Sequence, residues 1–259
     1  MDFKQYLENQ NLNNSTIVTH MRNLQRFDKV GLSQNLIVKK LDLLETWSRR
    51  LSAANSLSKY LQYKNQPNDK IVQYIHNANR EIQKDSTKRQ KDMAEDETLP
   101  TLREMKNHME NLYRDGDYRG FCIMYLFLTY TVRNKDLIAK VVKSKKQTNN
   151  SDNFFIVGRK RVTYLRNAYK TVSKYGTKTH VITNPKFVTA ISHLSDLLRE
   201  SDNIDRIIKT KVTAGIGSIT ESTIVKVVLK YSNNMNNLKR ISRNRGTDVT
   251  TLIQNYNIT

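Results

Sequence analysis

Cysteine is almost missing from this chain: Cys122 is the single one in 259 residues. That excludes a disulfide-stapled scaffold and a structural zinc site built from several thiolates. Cys122 itself sits in an apolar stretch and is expected in the core. Long apolar runs are lacking as well. The longest, Phe121 to Leu128 (FCIMYLFL), is far too short to span a bilayer, and the polar opening MDFKQYLENQ shows no signal peptide. The expectation is a soluble intracellular protein with no membrane partner. There is no H-E-x-x-H, no carboxylate cluster and no glycine-rich phosphate loop, and His180 and His193 lack partners at metal-ligand spacing. No cofactor, no metal and no small-molecule substrate are therefore expected. Proline is rare (3 residues) and asparagine abundant (27 residues), which says nothing about fold.

Acidic residues are also in short supply, 24 against 44 Lys and Arg, a net charge of +20. Residues 1–90 carry +7 and residues 101–259 carry +16, with an acidic dip of −3 over residues 91–100. A surplus this large in both halves is the footprint of a protein that binds a phosphate backbone. A membrane-surface role would instead concentrate the charge on one amphipathic helix.

The length suits one large domain or two modest ones. Residues 1–85 read as four or five helices. Their apolar stripes are Phe3, Tyr6 and Leu7, then Ile17, Met21, Leu24 and Phe27 behind the cap candidates Asn13 to Ser15, then a helix over about Leu36–Leu51, then Leu57–Tyr63 and Ile71–Ile82. Residues 83–98 hold only Met93 and Ala94 as apolar residues and read as an exposed linker, placed at 86–100. Thr101-Leu-Arg-Glu104 is a capping box that opens a helix to about Tyr113, and Arg119–Tyr130 is a second, buried helix. The period then changes. Phe154–Val157, Arg161–Leu165 and Thr179–Thr183 are short β-type runs, expected to form a small antiparallel sheet. Helices return at about Pro185–Leu198, at Ser218–Tyr231 behind a second capping box (Ser218-x-x-Glu221), and at Asp248–Tyr256. The expected fold is mainly α with a small antiparallel sheet, in two domains, 1–85 and 101–259.

Several segments in this order resemble tyrosine recombinases, the phage-type integrases. Phe3 to Ile17 followed by Met21-Arg-Asn-Leu-Gln-Arg-Phe27 is similar to the family's helical, SAM-like core-binding domain. Tyr125-Leu-Phe-Leu-Thr-Tyr-Thr-Val-Arg-Asn-Lys-Asp-Leu137 is similar to its first arginine box. The hairpin from Leu165 to Ile182 resembles the one that carries a catalytic lysine, and Arg245-Gly-Thr-Asp-Val-Thr-Thr-Leu-Ile-Gln-Asn-Tyr256 resembles the last motif, which delivers a nucleophilic tyrosine. No single motif is specific; their order and spacing are.

The resemblance implies a recombinase or integrase that breaks and rejoins duplex DNA through a 3′-phosphotyrosine. Its catalytic residues would be Arg133, Lys170 (with Lys178 as rival), Lys226, Arg245 and Tyr256, and Asp136 would support the turn after Arg133. The family's H-x-x-R box is absent, since no histidine follows His193. Lys226 in Thr223-Ile-Val-Lys226, 30 residues before Tyr256, is placed at the second arginine, ahead of Arg240; Thr223 takes the histidine's place. Near the penultimate His/Trp position stand Arg245 and Thr247, and Arg245 is preferred. The partners implied are double-stranded DNA and further copies of the chain, although only three residues follow Tyr256 and the element exchanged between subunits would be missing or short. The same residues suit a type IB topoisomerase, or a DNA-binding relative that has lost catalysis. Each residue also has a plainer role: a structural arginine at 133, a solvated lysine at 226, a last core aromatic at 256.

Overall fold

The computed structural model describes residues 2–10, 12–27, 33–94, 99–232 and 234–256. The chain falls into two compact units, Met1–Glu95 and Asp96–Thr259.

The first unit is wholly helical: α1 (Phe3–Asn9), α2 (Asn14–Gln25), α3 (Gln34–Asp42), α4 (Trp47–Tyr63) and α5 (Asp69–Ala94). Asp2 and Asn13 cap the first two helices by accepting the backbone N–H groups of Gln5 and Thr16. The single helix expected over 36–51 is in fact two. Thr46 accepts the N–H of Arg49 and starts α4 afresh after the break at residues 43–46. The core is Phe27, Ile37, Leu41, Leu57, Leu61 and Ile71, with Phe3, Leu7 and Ile17 beside it. The segment expected as a linker is helical as far as Ala94, because α5 simply continues; residues 95–98 lie outside those described.

The second unit runs α6 (Leu102–Arg114), α7 (Tyr118–Tyr130), β1 (Ala139–Val142), β2 (Asn153–Val157), β3 (Val162–Arg166), α8 (Val172–Tyr175), β4 (Lys178–Ile182), α9 (Pro185–Ser192), α10 (Ile204–Ile207), α11 (Glu221–Lys230), α12 (Met235–Arg245) and α13 (Val249–Tyr256). The Thr101 capping box forms with both of its bonds. Apolar α7 is the spine: Phe121, Cys122, Ile123, Met124, Leu126 and Phe127 are all buried.

The sheet is four-stranded in the order β1-β2-β3-β4. Its pairs β2/β3 and β3/β4 are antiparallel, but β1 pairs with β2 in parallel, Ala139 opposite Asn153. The sheet is therefore mixed rather than antiparallel. The protein is mainly helical with this one small sheet.

Two helix starts differ from expectation in a way that matters for the site. Ser218 does not cap α11, because it takes a left-handed conformation at φ 53°. Thr220 caps it instead, accepting the N–H of Thr223 at 3.3 Å, so Glu221 becomes the first helical residue with its carboxylate free for other partners. The helix expected over 185–198 stops at Ser192.

Candidate active site

Six segments converge here: the turn after α7, the end of β3, the start of β4, the start of α11, the end of α12 and the end of α13. The chain leaves α7 through Thr131, a β-branched residue held left-handed at φ 49°, a conformation that costs free energy and persists only when neighbours enforce it. Arg245 enforces it here, its Nη1 donating to the Thr131 carbonyl at 2.7 Å. Arg133 follows two residues later. Its backbone N–H donates to Asp136 Oδ2 at 2.8 Å, which fixes the turn, and its guanidinium Nη1 donates to the Arg245 carbonyl. Asp136 is fully buried and pairs with fully buried Arg166 at the end of β3. Arg166 in turn donates to the carbonyl of Asn244 at 2.7 Å. The first arginine, the sheet and the C-terminus of α12 are thus tied into one network.

Arg245 is the hub. Besides Thr131, it donates through Nη2 to Glu221 Oε1 at 2.8 Å and to the phenol oxygen of Tyr256 at 2.9 Å. The other Glu221 oxygen accepts the N–H of Asn134, next to Arg133, at 2.9 Å. Burial raises the Tyr256 pKa above its ordinary value; Arg245 and Arg133 pull it down, while Glu221 pushes it up. At neutral pH the phenol keeps its proton in this state, with two guanidiniums placed to favour the phenolate.

Lys178 opens β4, in register with Arg166. Its Nζ donates to the carbonyl of Arg243 and, at 3.4 Å, to that of Asn244. Burial, then the charge of Arg166, pull its pKa down to about 8 against the opposing pull of Asp136; Arg133 adds to the fall. The set thus holds four cations, Arg133, Arg166, Arg245 and Lys178, against two carboxylates, Asp136 and Glu221. Arg166 and Arg245 are paired with these acids, while neither Arg133 nor Lys178 makes an ion pair among the described residues. Such a site is suited to an anion.

Gly246 is where the hairpin meets α12. It ends the helix at φ 61°, and its carbonyl accepts from Thr171 Oγ1 at 2.7 Å. A Cβ there would stand 2.5 Å from that hydroxyl and 3.0 Å from Lys178 Nζ. Gly246→Ala combines this clash with the left-handed penalty of roughly 1–2 kcal/mol. It is expected to lower the melting temperature and to disturb the lysine, as thermal denaturation and cleavage rates together would reveal.

Of the residues predicted from sequence, Arg133, Arg245 and Tyr256 come together, with Asp136 beneath them. Lys170 does not join them by any described bond. It is exposed in the turn before α8, although its neighbour Thr171 reaches Gly246. Its rival Lys178 is the lysine that reaches the site. Lys226 is half-exposed on α11, five residues beyond Glu221 and so about 140° round the helix from it; α11 meets Arg245 through Glu221. Arg240, the other candidate for that position, is exposed and donates to the Thr129 carbonyl at 3.0 Å. Glu221 and Arg166 went unpredicted. Glu221 was hidden inside an apparent capping box; Arg166 ends a strand of alternating burial, and nothing local marks it as paired. Among the described residues no group of three or more His, Cys, Asp or Glu could hold a metal ion, and no helix is long and apolar enough to cross a membrane.

No protein-family model matches the chain, and no curated protein does. Among solved structures it is similar to one described as "Crystal structure of XerA recombinase", with 13% identity over 98% of this chain and 90% of that one and a TM-score of 0.37.

Proposed function

We propose that the protein is a site-specific tyrosine recombinase or integrase that cleaves and rejoins duplex DNA through a 3′-phosphotyrosine on Tyr256. The observation that carries this reading is the phenol oxygen of Tyr256 hydrogen-bonded to Arg245, in the same constellation as Arg133 and Lys178, which bond backbone carbonyls and make no ion pair among the described residues.

In this reading a phosphodiester sits against Arg133, which stabilises the negative charge that grows on its non-bridging oxygens. Tyr256 Oη attacks the phosphorus and the bond to the 5′ oxygen breaks. Lys178 gives that oxygen its proton as general acid. The phenol proton passes to Glu221, whose carboxylate shares Arg245 Nη2 with Tyr256. The phosphotyrosine conserves the energy of the broken bond, so a DNA 5′-hydroxyl can reverse the attack without metal or nucleotide. The charge spread over the chain holds the DNA backbone, so binding falls steeply with salt. Exchange between two sites requires at least two copies of the protein on DNA.

Glu221→Gln keeps a hydrogen-bond acceptor for Arg245 but cannot take the proton. It is expected to slow cleavage about 10²-fold, at the low end of the usual range because the arginines still favour the phenolate. Single-turnover rates would show it.

A second reading, a DNA-binding relative without cleavage activity, is favoured by Arg245 being committed to Glu221 and to backbone carbonyls. One experiment separates the two. A library of nicked duplexes with randomised sequence is incubated with the protein, and covalent adducts are collected under denaturing conditions. The enzyme reading expects adducts that enrich a discrete sequence; an absence of adducts from the whole library leaves the binding reading. A strand-exchange assay with two enriched sites then distinguishes a recombinase from a topoisomerase.

A further inference from the structure

Lys178 has a second role in the structure. It lines a cavity of about 720 Å³ that the proposed chemistry leaves unused, a size in the range of small-ligand sites. The cavity runs between β4 with α8 and the outer face of α12. Three of its lining residues are cations, Lys178, Lys239 and Arg243, and none of them is Asp or Glu. None of those three cations forms an ion pair among the described residues, and Lys239 and Arg243 are exposed. His180 lines the same space. Burial, then Arg166 and Lys178, hold its pKa down to about 4, so the ring is neutral, and its Nε2 is buried without a hydrogen-bond partner, turned away from the open space. Tyr175 also lines the cavity; the residue is 39% exposed, and the ammonium groups of Lys174 and Lys178 stand 5.3 and 5.5 Å from its ring centre. The walls thus offer positive charge and an aromatic side chain, with the neutral His180 ring beside them. That combination suits a nucleotide within a single strand, which is bound by phosphate pairing and by base stacking.

Which nucleotide follows from Lys178, in a step that rests on the DNA-cleavage reading. If this amine protonates the leaving 5′ oxygen, the strand continuing from that oxygen meets the cavity that Lys178 also lines. We propose that the cavity holds the nucleotide bearing the leaving 5′ oxygen, with the phosphate on its 3′ side on Lys239 and Arg243 and its base against Tyr175. The freed 5′-hydroxyl end is thereby kept beside the phosphotyrosine, and rejoining of the original strand is favoured over its escape.

The test neutralises one phosphate at a time as a methylphosphonate along the leaving strand, in the wild type and in Lys239→Ala/Arg243→Ala. Both side chains are exposed, and the Arg243 carbonyl that Lys178 uses is retained. In the wild type, neutralising the first phosphate beyond the leaving nucleotide is expected to weaken duplex binding about tenfold. In the double variant the same change costs less than twofold, and rejoining of the 5′-hydroxyl strand slows about tenfold. Losses that multiply independently at every phosphate would overturn the proposal. A second measurement stands apart from cleavage: a thymidine dinucleotide with a free 5′-hydroxyl is titrated while the His180 ring nitrogens are followed by NMR. Shifts in the wild type that vanish in the double variant support the cavity even if no covalent adduct ever forms, in which case the cleavage reading alone falls. No shift at any concentration, with adducts forming normally, overturns the cavity and leaves the cleavage reading intact.

Discussion

Lys178→Ala is expected to slow strand cleavage by about 10²–10⁴-fold, the usual contribution of a general acid, whereas Lys170→Ala is expected to change it less than about threefold. The contrast follows from depth. Lys170 is exposed in its turn, while Lys178 is half-buried, bonded to two carbonyls of α12 and held by burial and Arg166 at a pKa of about 8. Such an amine is mostly protonated at neutral pH yet releases its proton far more readily than an ordinary lysine. The cleavage rate is therefore expected to fall as pH rises through about 8. Replacing the leaving 5′ oxygen by sulfur, whose anion leaves without a proton, should restore cleavage to the Lys178→Ala variant and flatten that limb. The sign for stability is opposite. The folded pKa lies below the unfolded one, so this group's contribution to stability rises with pH between about 8 and the ordinary lysine value.

Arg245→Ala is expected to damage both fold and chemistry. The side chain of Arg245 is 6% exposed and that of its partner Glu221 16%. Removing the arginine leaves a carboxylate in the interior without its cation, a change that typically costs about 3–5 kcal/mol. It also removes the bond that holds left-handed Thr131. For a unit of this size the melting temperature should fall by roughly 6–20 °C. Cleavage should fall by 10²–10³-fold in addition, since the donor to Tyr256 is gone. Arg245→Lys separates the two effects. A lysine keeps the charge but lacks the planar fork that serves Thr131, Glu221 and Tyr256 together. Most of the stability should return while cleavage remains low. Equal recovery of both would mean that Arg245 acts as charge alone, without orienting the tyrosine.

Local signals were the legible ones. The Thr101/Glu104 capping box, apolar α7 and the runs that became β2, β3 and β4 could all be read because each is specified within a few residues. β1 was not, because four residues that pair in parallel with a strand 14 positions away carry no local signature. α12 was missed because Met235–Arg245 buries only Leu238 and Ile241 as apolar residues and otherwise reads as polar chain. In the candidate site, Arg133, Arg245 and Tyr256 were legible only as what the resemblance of their segments to tyrosine recombinases implies. The choice between Lys170 and Lys178 turns on how deeply β4 starts in the hairpin, which the connection through α8 decides. Glu221 was concealed by its own motif. Ser-x-x-Glu reads as a cap, and only the left-handed turn at Ser218 moves the cap to Thr220 and frees the carboxylate.

The most direct test of the account is to identify the residue that becomes linked to DNA. Adducts captured on the enriched nicked duplex are digested with protease and nuclease, and the nucleotide-bearing peptide is sequenced by mass spectrometry. The account predicts a single modified residue, Tyr256, joined to a 3′-phosphate, and no adduct from Tyr256→Phe. A link at any other residue, or an adduct that persists in Tyr256→Phe, would contradict it.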